Sequence, residues 1–374
     1  VFLQVTAKVR PVIVFTGGGT GGHVFPGIAV LQALREALKD QPVHFVWIGS
    51  EAGIERSIVE GLGLEYRAIA TGKLRRYFSW KNLTDLARIV AGYFQAVKAL
   101  KELRPVFVFS KGGFVSVPPV RAARRLKIPV YSHESDLDPG LATRLNLSAS
   151  ALVFCAYGES VAHYPPAARA RLVVSGNPVR GELLGGAPQW LRQTWRVPEG
   201  ARVLLVLGGS LGARQVNQLV AEALPRLEGR FFVVHQTGKE WTPLADTPWY
   251  VSRQFFGTEM AALYAGADVI FGRAGAGTLW EAAATGVPLI LLPLGLGSRG
   301  DQGRNAQLFA DRGAARVLGP EASATDLCDA LDAFVSDGTA LPRAKAALAG
   351  FDAARAASRI ASAVLARHPE VSGV

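Results

Sequence analysis

Two glycine-rich turns, about half a chain apart, carry the residue types that hold phosphates. Val12-Ile13-Val14-Phe15-Thr16 runs into Gly17-Gly18-Gly19-Thr20-Gly21-Gly22-His23, and Val203-Leu204-Leu205-Val206-Leu207 runs into Gly208-Gly209-Ser210-Leu211-Gly212-Ala213. A β-branched run, a glycine turn and then a helical pattern bring backbone N–H groups and a helix N-terminus close to an anion. His23 follows the first turn directly. Its ordinary pKa of about 6.5 suits proton abstraction near neutral pH, and a histidine that only opens a helix is the alternative. The pattern occurring twice predicts two doubly wound domains facing one cleft, with a nucleotide on one side and a second substrate on the other.

The elements that must position these turns alternate along the chain. Strand-like runs are Val12 to Phe15, His44 to Ile48, Tyr66 to Ala70, Val106 to Phe109, Pro129 to Tyr131 and Leu152 to Phe154, separated by helical patterns such as Ile28 to Leu38. A second series comprises Val203 to Leu207, Phe231 to His235, Tyr250 to Ser252, Val269 to Phe271 and Leu289 to Leu292. Strands alternating with helices predict an α/β fold with parallel sheets and right-handed crossovers. Gly176, Pro178, Gly185, Gly186, Pro188 and Pro198 accumulate between Ser175 and Ala201, as in a linker. The expected domains are 1–178 and 179–345, with a helical tail, 346–374, that can cross back onto the first domain.

The 374 residues suit two cores better than one, and 49% hydrophobic with 19% charged residues is the composition of a globular chain, which excludes extensive disorder. Cys155 and Cys328 give no disulfide framework and no paired metal-ligand spacing, as in a reduced intracellular protein. Val1 to Arg10 lacks the pattern of a secretory signal, and no run approaches the roughly 20 apolar residues that span a bilayer. The net charge of +11 nevertheless asks for an acidic partner. Between Gly72 and Arg104 stand eight cations (Lys73, Arg75, Arg76, Lys81, Arg88, Lys98, Lys101, Arg104) against Asp85 and Glu102. Leu74, Tyr77, Phe78, Trp80, Leu83, Leu86, Ile89, Val90, Tyr93 and Phe94 are interleaved with them, partly at helical spacing, which is how a surface that docks on an anionic membrane is built. An ordinary helix with an apolar core face is the other reading. Nucleic acid is not expected, because no nucleic-acid-binding signature accompanies the charge.

Gly17-x-Gly19-x-x-Gly22 also matches the dinucleotide pattern, so an NAD-dependent oxidoreductase competes, with Glu51 as its late acidic residue. That pattern accounts neither for His23 nor for the second turn. The larger set of motifs does. Gly17 through Gly27, Lys111-Gly112-Gly113-Phe114-Val115-Ser116, His133-Glu134, Gly176-Asn177-Pro178-Val179-Arg180 and Gly208 through Ala213 together resemble the MurG family of bacterial peptidoglycan glycosyltransferases, from about Val12 to Leu318.

The resemblance implies a GT-B fold of two Rossmann-like domains, the N-terminal one for acceptor and membrane docking and the C-terminal one for the UDP-sugar. It implies a metal-free, inverting transfer from UDP-N-acetylglucosamine to an undecaprenyl-linked lipid acceptor, lipid I, with no cofactor, at the cytoplasmic face of the membrane. His23 becomes the candidate base, and Glu134 and Asp136 position the acceptor or assist proton transfer. Gly18, Gly19, Thr20, Gly21 and Gly22 with Gly112 and Gly113 would cradle the acceptor diphosphate. On the donor side, Ala276, Gly277 and Thr278 at a helix N-terminus would hold the diphosphate with Ser210 and Arg180. Glu281 would take the ribose hydroxyls, Phe256 and Gly257 the uracil, and Gln302 the sugar hydroxyls.

Two departures from the family pattern stand out. Asp301 occupies the place of the first of two paired glutamines, and the acceptor-side His-Glu-x-Asn reads His133-Glu134-Ser135-Asp136. They point to a divergent branch, for which another lipid glycosyltransfer, to diacylglycerol, is the alternative within the class. A UDP-sugar sensor without turnover is the alternative outside it. Asp136-Leu137-Asp138 mimics the metal-binding DxD of another glycosyltransferase fold and is read as incidental.

Overall fold

The computed structural model describes residues 10–72, 80–209, 212–295, 300–336 and 338–372. The cations and aromatics from Lys73 to Phe78 lie outside the described residues, as does Ser210. Seven strands form the first sheet: β1 (Val12–Thr16), β2 (His44–Ser50), β3 (Glu65–Ile69), β4 (Phe107–Ser110), β5 (Val130–Glu134), β6 (Leu152–Cys155) and β7 (Leu172–Val174). Their order is β3-β2-β1-β4-β5-β6-β7, with every neighbouring pair parallel. The second sheet has six strands, β8 (Arg202–Leu207), β9 (Phe231–Gln236), β10 (Tyr250–Arg253), β11 (Val269–Gly272), β12 (Leu289–Leu291) and β13 (Ala315–Val317). It runs β10-β9-β8-β11-β12-β13, again all parallel.

Both faces of a parallel sheet are covered, so its strands read as unbroken apolar runs. In β1, Ile13 and Phe15 join Val24, Ile28, Leu31 and Leu34 of the helix Gly21–Ala37 in one core. Val14 points the other way, to Val46, Ile48, Val108 and to Ala96 and Leu100 of the helix Trp80–Leu103. The second sheet has its own core around Leu204, Val206, Val269, Phe271 and Ile290, closed by Leu327 and Leu331.

The chain divides into two compact units. One runs to Glu134, resumes over Asp138–Ser175 and takes in the chain from Ala357; the other holds Ser135–Leu137 and Gly176–Ala356. Ile360, Ala361 and Val364 of the helix Ala356–Leu365 are buried in the core of the first unit.

Three features differ from the sequence expectation. β7 and β13 were not among the predicted strands: each is only three residues at a sheet edge, so Leu172-Val173-Val174 is too short a run to mark a strand and Arg316 interrupts the other. The first helix begins at Gly21 rather than Ile28. Its glycines and Pro26 read as breakers, yet an extended Thr20 (φ −149°, ψ 158°) turns the chain into it and the His23 amide closes the first turn on the Thr20 carbonyl at 3.0 Å. Among the described residues no helix is long and apolar enough to cross a membrane.

Candidate functional site

In each unit the strand order reverses beside the first strand, between β1 and β4 and between β8 and β11. The loops leaving the carboxyl ends of such strands line the crevice where open α/β sheets bind ligands. In the first unit these loops are the turn after β1 and Lys111-Gly112-Gly113 after β4. They touch: a Cβ on Gly113 would stand 2.5 Å from the Gly18 carbonyl oxygen and 3.4 Å from Cγ of His23. Gly112 (φ +91°) and Gly113 (φ +74°) also hold backbone angles that favour glycine. The predicted acceptor cradle and His23 therefore meet at one place.

His23 is fixed by Thr20, whose Oγ1 lies 2.9 Å from Nδ1. The ring keeps part of its surface open. The protein still crowds it enough that burial, then the Lys111 cation, lower its pKa from 6.5 to about 4, against an opposing pull from Glu55. At neutral pH the imidazole is therefore neutral, the form that accepts a proton.

Beneath the first turn lies a carboxylate. Glu55 is fully buried and accepts from the amides of Gly19 (3.1 Å) and Ser50 (3.0 Å) and from the Ser50 hydroxyl. A Cβ on Gly18 would strike it at 2.4 Å. The Gly19 amide, predicted to face the acceptor phosphate, thus donates to Glu55, although Gly19 itself is exposed; Gly21 and Gly22 stand at the helix N-terminus with partly exposed or exposed surfaces. Lys111 is likewise buried, at 1% exposure.

Glu134 and Asp136 fall in different units. Glu134 accepts from the Gly140 amide (3.0 Å) and the Thr143 hydroxyl (2.6 Å), fastening the start of the helix Leu141–Asn146. Asp136 is held by Asn305, whose Nδ2 donates to it at 2.8 Å while its Oδ1 accepts the Leu137 amide at 3.0 Å. Asp138 pairs with Nδ1 of His163. Each carboxylate of Asp136-Leu137-Asp138 thus has its own protein partner, and among the described residues no group of three or more His, Cys, Asp or Glu side chains could hold a metal ion.

In the second unit the helix Ala276–Thr285 starts after β11, capped by an extended Gly275 with no side-chain bond. Leu279 is the residue whose amide bonds back to Gly275, so Ala276, Gly277 and Thr278 precede the first intrahelical bond. All three are partly exposed. Amides without intrahelical partners at a helix start, together with the helix dipole, favour an anion. Glu281, one turn on, accepts from the Tyr264 hydroxyl at 2.7 Å and faces Arg180 Nη2 at 3.7 Å. Burial raises its pKa, opposed by the Arg180 cation and the Tyr264 hydrogen bond. Burial and the neighbouring Glu281 charge push the Tyr264 phenol well above its usual range, so it stays a donor. The structure brings together Arg180, Glu281 and the helix start in this unit.

Phe256 is buried, its amide donating to Gln236 Oε1 at 3.1 Å, and the Gly257 amide donates to Glu259 at 2.9 Å. Gln302 accepts the Leu294 amide at 2.9 Å, which ties the start of its helix to the loop after β12. Asp301, the departure from the paired glutamines, pairs with Arg304 at 2.5 Å.

Sequence reasoning missed Glu55, Lys111, Tyr264 and the pairing of Asn305 with Asp136. A carboxylate or lysine in a sequence reads as solvated surface; the nearest signal was the cluster of glycines, which leaves room for such a side chain. The dinucleotide reading gains nothing here, since Glu51 is bound to Arg88 at 2.9 Å and the Gly19 amide is already taken by Glu55.

The family model for the glycosyltransferase family 28 N-terminal domain matches residues 13–154, and that for the family 28 C-terminal domain matches residues 203–360. A protein of Treponema denticola, named UDP-N-acetylglucosamine--N-acetylmuramyl-(pentapeptide) pyrophosphoryl-undecaprenol N-acetylglucosamine transferase, is 44% identical over 329 residues, covering 82% of this chain and 83% of its own length. The protein of the same name from Shouchella clausii is 42% identical over 315 residues, with 83% and 86% covered. In fold the chain is similar to the crystal structure of MurG from Acinetobacter baumannii, with a TM-score of 0.71 and 24% identity over 95% of this chain and 99% of that one. The two parallel α/β units are those of the GT-B fold.

Proposed function

The chain belongs to glycosyltransferase family 28, within its MurG group, and from that premise we propose that it moves N-acetylglucosamine from UDP-N-acetylglucosamine to the muramyl-pentapeptide of lipid I, forming lipid II. The observation that carries this reading is 44% identity, across 329 residues, with a relative named for that reaction. The reading makes the transfer inverting and metal-free.

The N-terminal unit supplies the proton acceptor. His23 takes the proton of the acceptor hydroxyl as that oxygen attacks the anomeric carbon. A base held near 4 is weak in the empty protein. An acceptor diphosphate settling near Lys111, Gly21, Gly22 and Gly113 adds negative charge beside the ring and raises its proton affinity as the substrate arrives. Glu134 and Asp136 act by holding the acceptor-side backbone, through Gly140 and Thr143 and through Asn305.

The C-terminal unit supplies the leaving-group contacts. The amides of Ala276, Gly277 and Thr278, with Arg180 and Ser210, stabilise the charge that builds on the departing UDP. Glu281 accepts from the ribose hydroxyls in the orientation set by Tyr264. Phe256 and Gly257 read uracil through the backbone, their amides being taken and the Gly257 carbonyl also accepting the Met260 amide at 3.2 Å, and Gln302 reads the sugar with Leu294 as its support.

On the helix Trp80–Leu103, Leu86, Val90 and Phe94 recur every four residues and are 51%, 48% and 64% exposed. With the cations around them they form the stripe that docks on the anionic cytoplasmic leaflet. The deciding assay offers UDP-N-acetylglucosamine, UDP-glucose and UDP-galactose, each with lipid I and with diacylglycerol. Transfer of N-acetylglucosamine to lipid I alone is expected, and transfer to diacylglycerol or no transfer from any donor would reject the reading.

A further inference from the structure

Glu55 is one of two charged side chains buried below 2% exposure among the described residues, the other being Lys111. Both lie against the turn that carries His23. The carboxylate sits under the loop, not in solvent, and takes three donors: the Gly19 amide on Oε2 and the Ser50 amide and hydroxyl on Oε1. Ser50 ends β2, and its carbonyl accepts the Tyr66 hydroxyl of β3 at 2.7 Å. A chain of hydrogen bonds therefore leads from the sheet edge through Ser50 and Glu55 to Gly19. Thr20 follows at once, and it contacts His23 twice, by Oγ1 to Nδ1 and by its carbonyl to the His23 amide.

Two further contacts show that the turn is built around this carboxylate. A methyl on Gly18 or on Gly53 would come within 2.4 Å or 2.2 Å of it. Removing the acceptor of the buried Ser50 amide and the part-buried Gly19 amide leaves polar groups that the turn must move to satisfy. Gly19 is at φ +90°, where it has freedom to move once released.

We propose that Glu55 is a positioning residue for proton transfer, its buried carboxylate holding the turn so that Thr20 presents the His23 imidazole in one tautomer and one orientation. The proposal deepens the functional reading above and rests on it for the role of His23. It also assigns the turn a division of labour: Gly18 and the Gly19 amide face Glu55, and Gly21 and Gly22 are left for an anion.

The test uses the full-length protein with Glu55→Gln, which keeps the size but loses one of the two carboxylate oxygens, and Ser50→Ala, which removes a single donor and leaves the carboxylate in place. The first readout is the imidazole NMR spectrum with ¹⁵N-labelled histidine, His23 being assigned by its loss in His23→Ala and the other five histidines serving as internal controls. In both variants the His23 ring signals should shift or broaden while those of His235 stay. The second readout is turnover, normalised to the UDP-binding sites counted by calorimetry. kcat should fall at least tenfold in Glu55→Gln and about threefold in Ser50→Ala, with the KM for UDP-N-acetylglucosamine changed less than twofold, and Glu55→Asp should restore part of the loss.

His23 signals that do not move in either variant would overturn the proposal, and so would unchanged normalised kcat. If Glu55→Gln does not fold, Ser50→Ala decides by the same two readouts. A wild-type protein that shows the His23 signature but transfers no sugar would reject the functional reading and leave the positioning role standing on its spectrum.

Discussion

The turns after β1 and after β11 both stand where a strand order reverses, and both lead into a helix N-terminus, yet they are finished differently. Under the first, a buried carboxylate and a buried lysine flank a histidine. At the second, the helix start is partly open, the turn's own Arg273 reaches the carbonyls of Leu292 and Pro293, and Arg180 pairs with Glu281. On the function proposed above, the same strand–turn–helix unit serves proton transfer where a carboxylate and a lysine are packed behind it, and anion binding where its amides are left outward. Fold sets where a site can be, and the groups packed behind the turn set which chemistry it does.

The contrast can be broken most sharply at His23. His23→Ala should cut turnover by roughly 10²–10⁴-fold, the usual worth of a positioned general base, while UDP affinity measured by calorimetry stays within twofold. Retained turnover would remove the proton-handling half of the comparison.

Acid should act on each unit through a histidine it keeps neutral. His235 lies at 1% exposure between the Tyr250 hydroxyl (2.9 Å from Nδ1) and Asn217 Oδ1 (3.0 Å from Nε2), and burial lowers its pKa from 6.5 to about 4. Below pH 6.5 the unfolded chain binds a proton that the folded one refuses. Stability is therefore full above that value and falls as the pH drops towards 4, by about 3 kcal/mol at roughly 1.4 kcal/mol per pKa unit. His23 adds a smaller share, because its ring is part exposed. Urea unfolding at pH 7.5 and 4.5 tests this, with His235→Gln expected to flatten much of the slope; a flat wild-type profile would contradict the buried neutral imidazole.

Smaller effects belong to the anion seat and to the surface. Glu281→Ala should weaken donor binding about tenfold and Tyr264→Phe about threefold, with kcat at saturating donor little changed in the latter; an unaltered donor Kd in both would separate this pair from the nucleotide. Phe94→Ser should lower binding to anionic vesicles roughly 10- to 100-fold, in line with about 1.5–3 kcal/mol for a buried large apolar side chain, without altering transfer to a soluble acceptor analogue. Equal binding of the variant and the parent would move the docking surface elsewhere.

The glycine turns, the strand–helix alternation and the two sheets were legible because their signals are local: apolar runs such as Val203 to Leu207, and turn residues at fixed offsets. His23 and the Ala276–Thr278 helix start were legible for the same reason. Glu55 was not, because nothing in Ile54-Glu55-Arg56 distinguishes a buried carboxylate from a surface one until β2 and the first turn are brought against it. Tyr264 and Asn305 act across gaps of 17 and 169 residues, on Glu281 and Asp136, and such pairings leave no spacing to read. Leu172–Val174 and Ala315–Val317 escaped for a different cause, edge strands needing too few apolar residues to announce themselves.

The return of the chain from Ala357 into the core of the first unit bears on how the molecule is made. As the polypeptide leaves the ribosome, the unit built on β1 to β7 is laid down first, yet the places filled by Ile360, Ala361 and Val364 stay vacant until the whole unit built on β8 to β13 has been synthesised. The half that is translated first is thus the half that is finished last, and its apolar interior must wait, open to water or to a chaperone, for the closing helix to arrive.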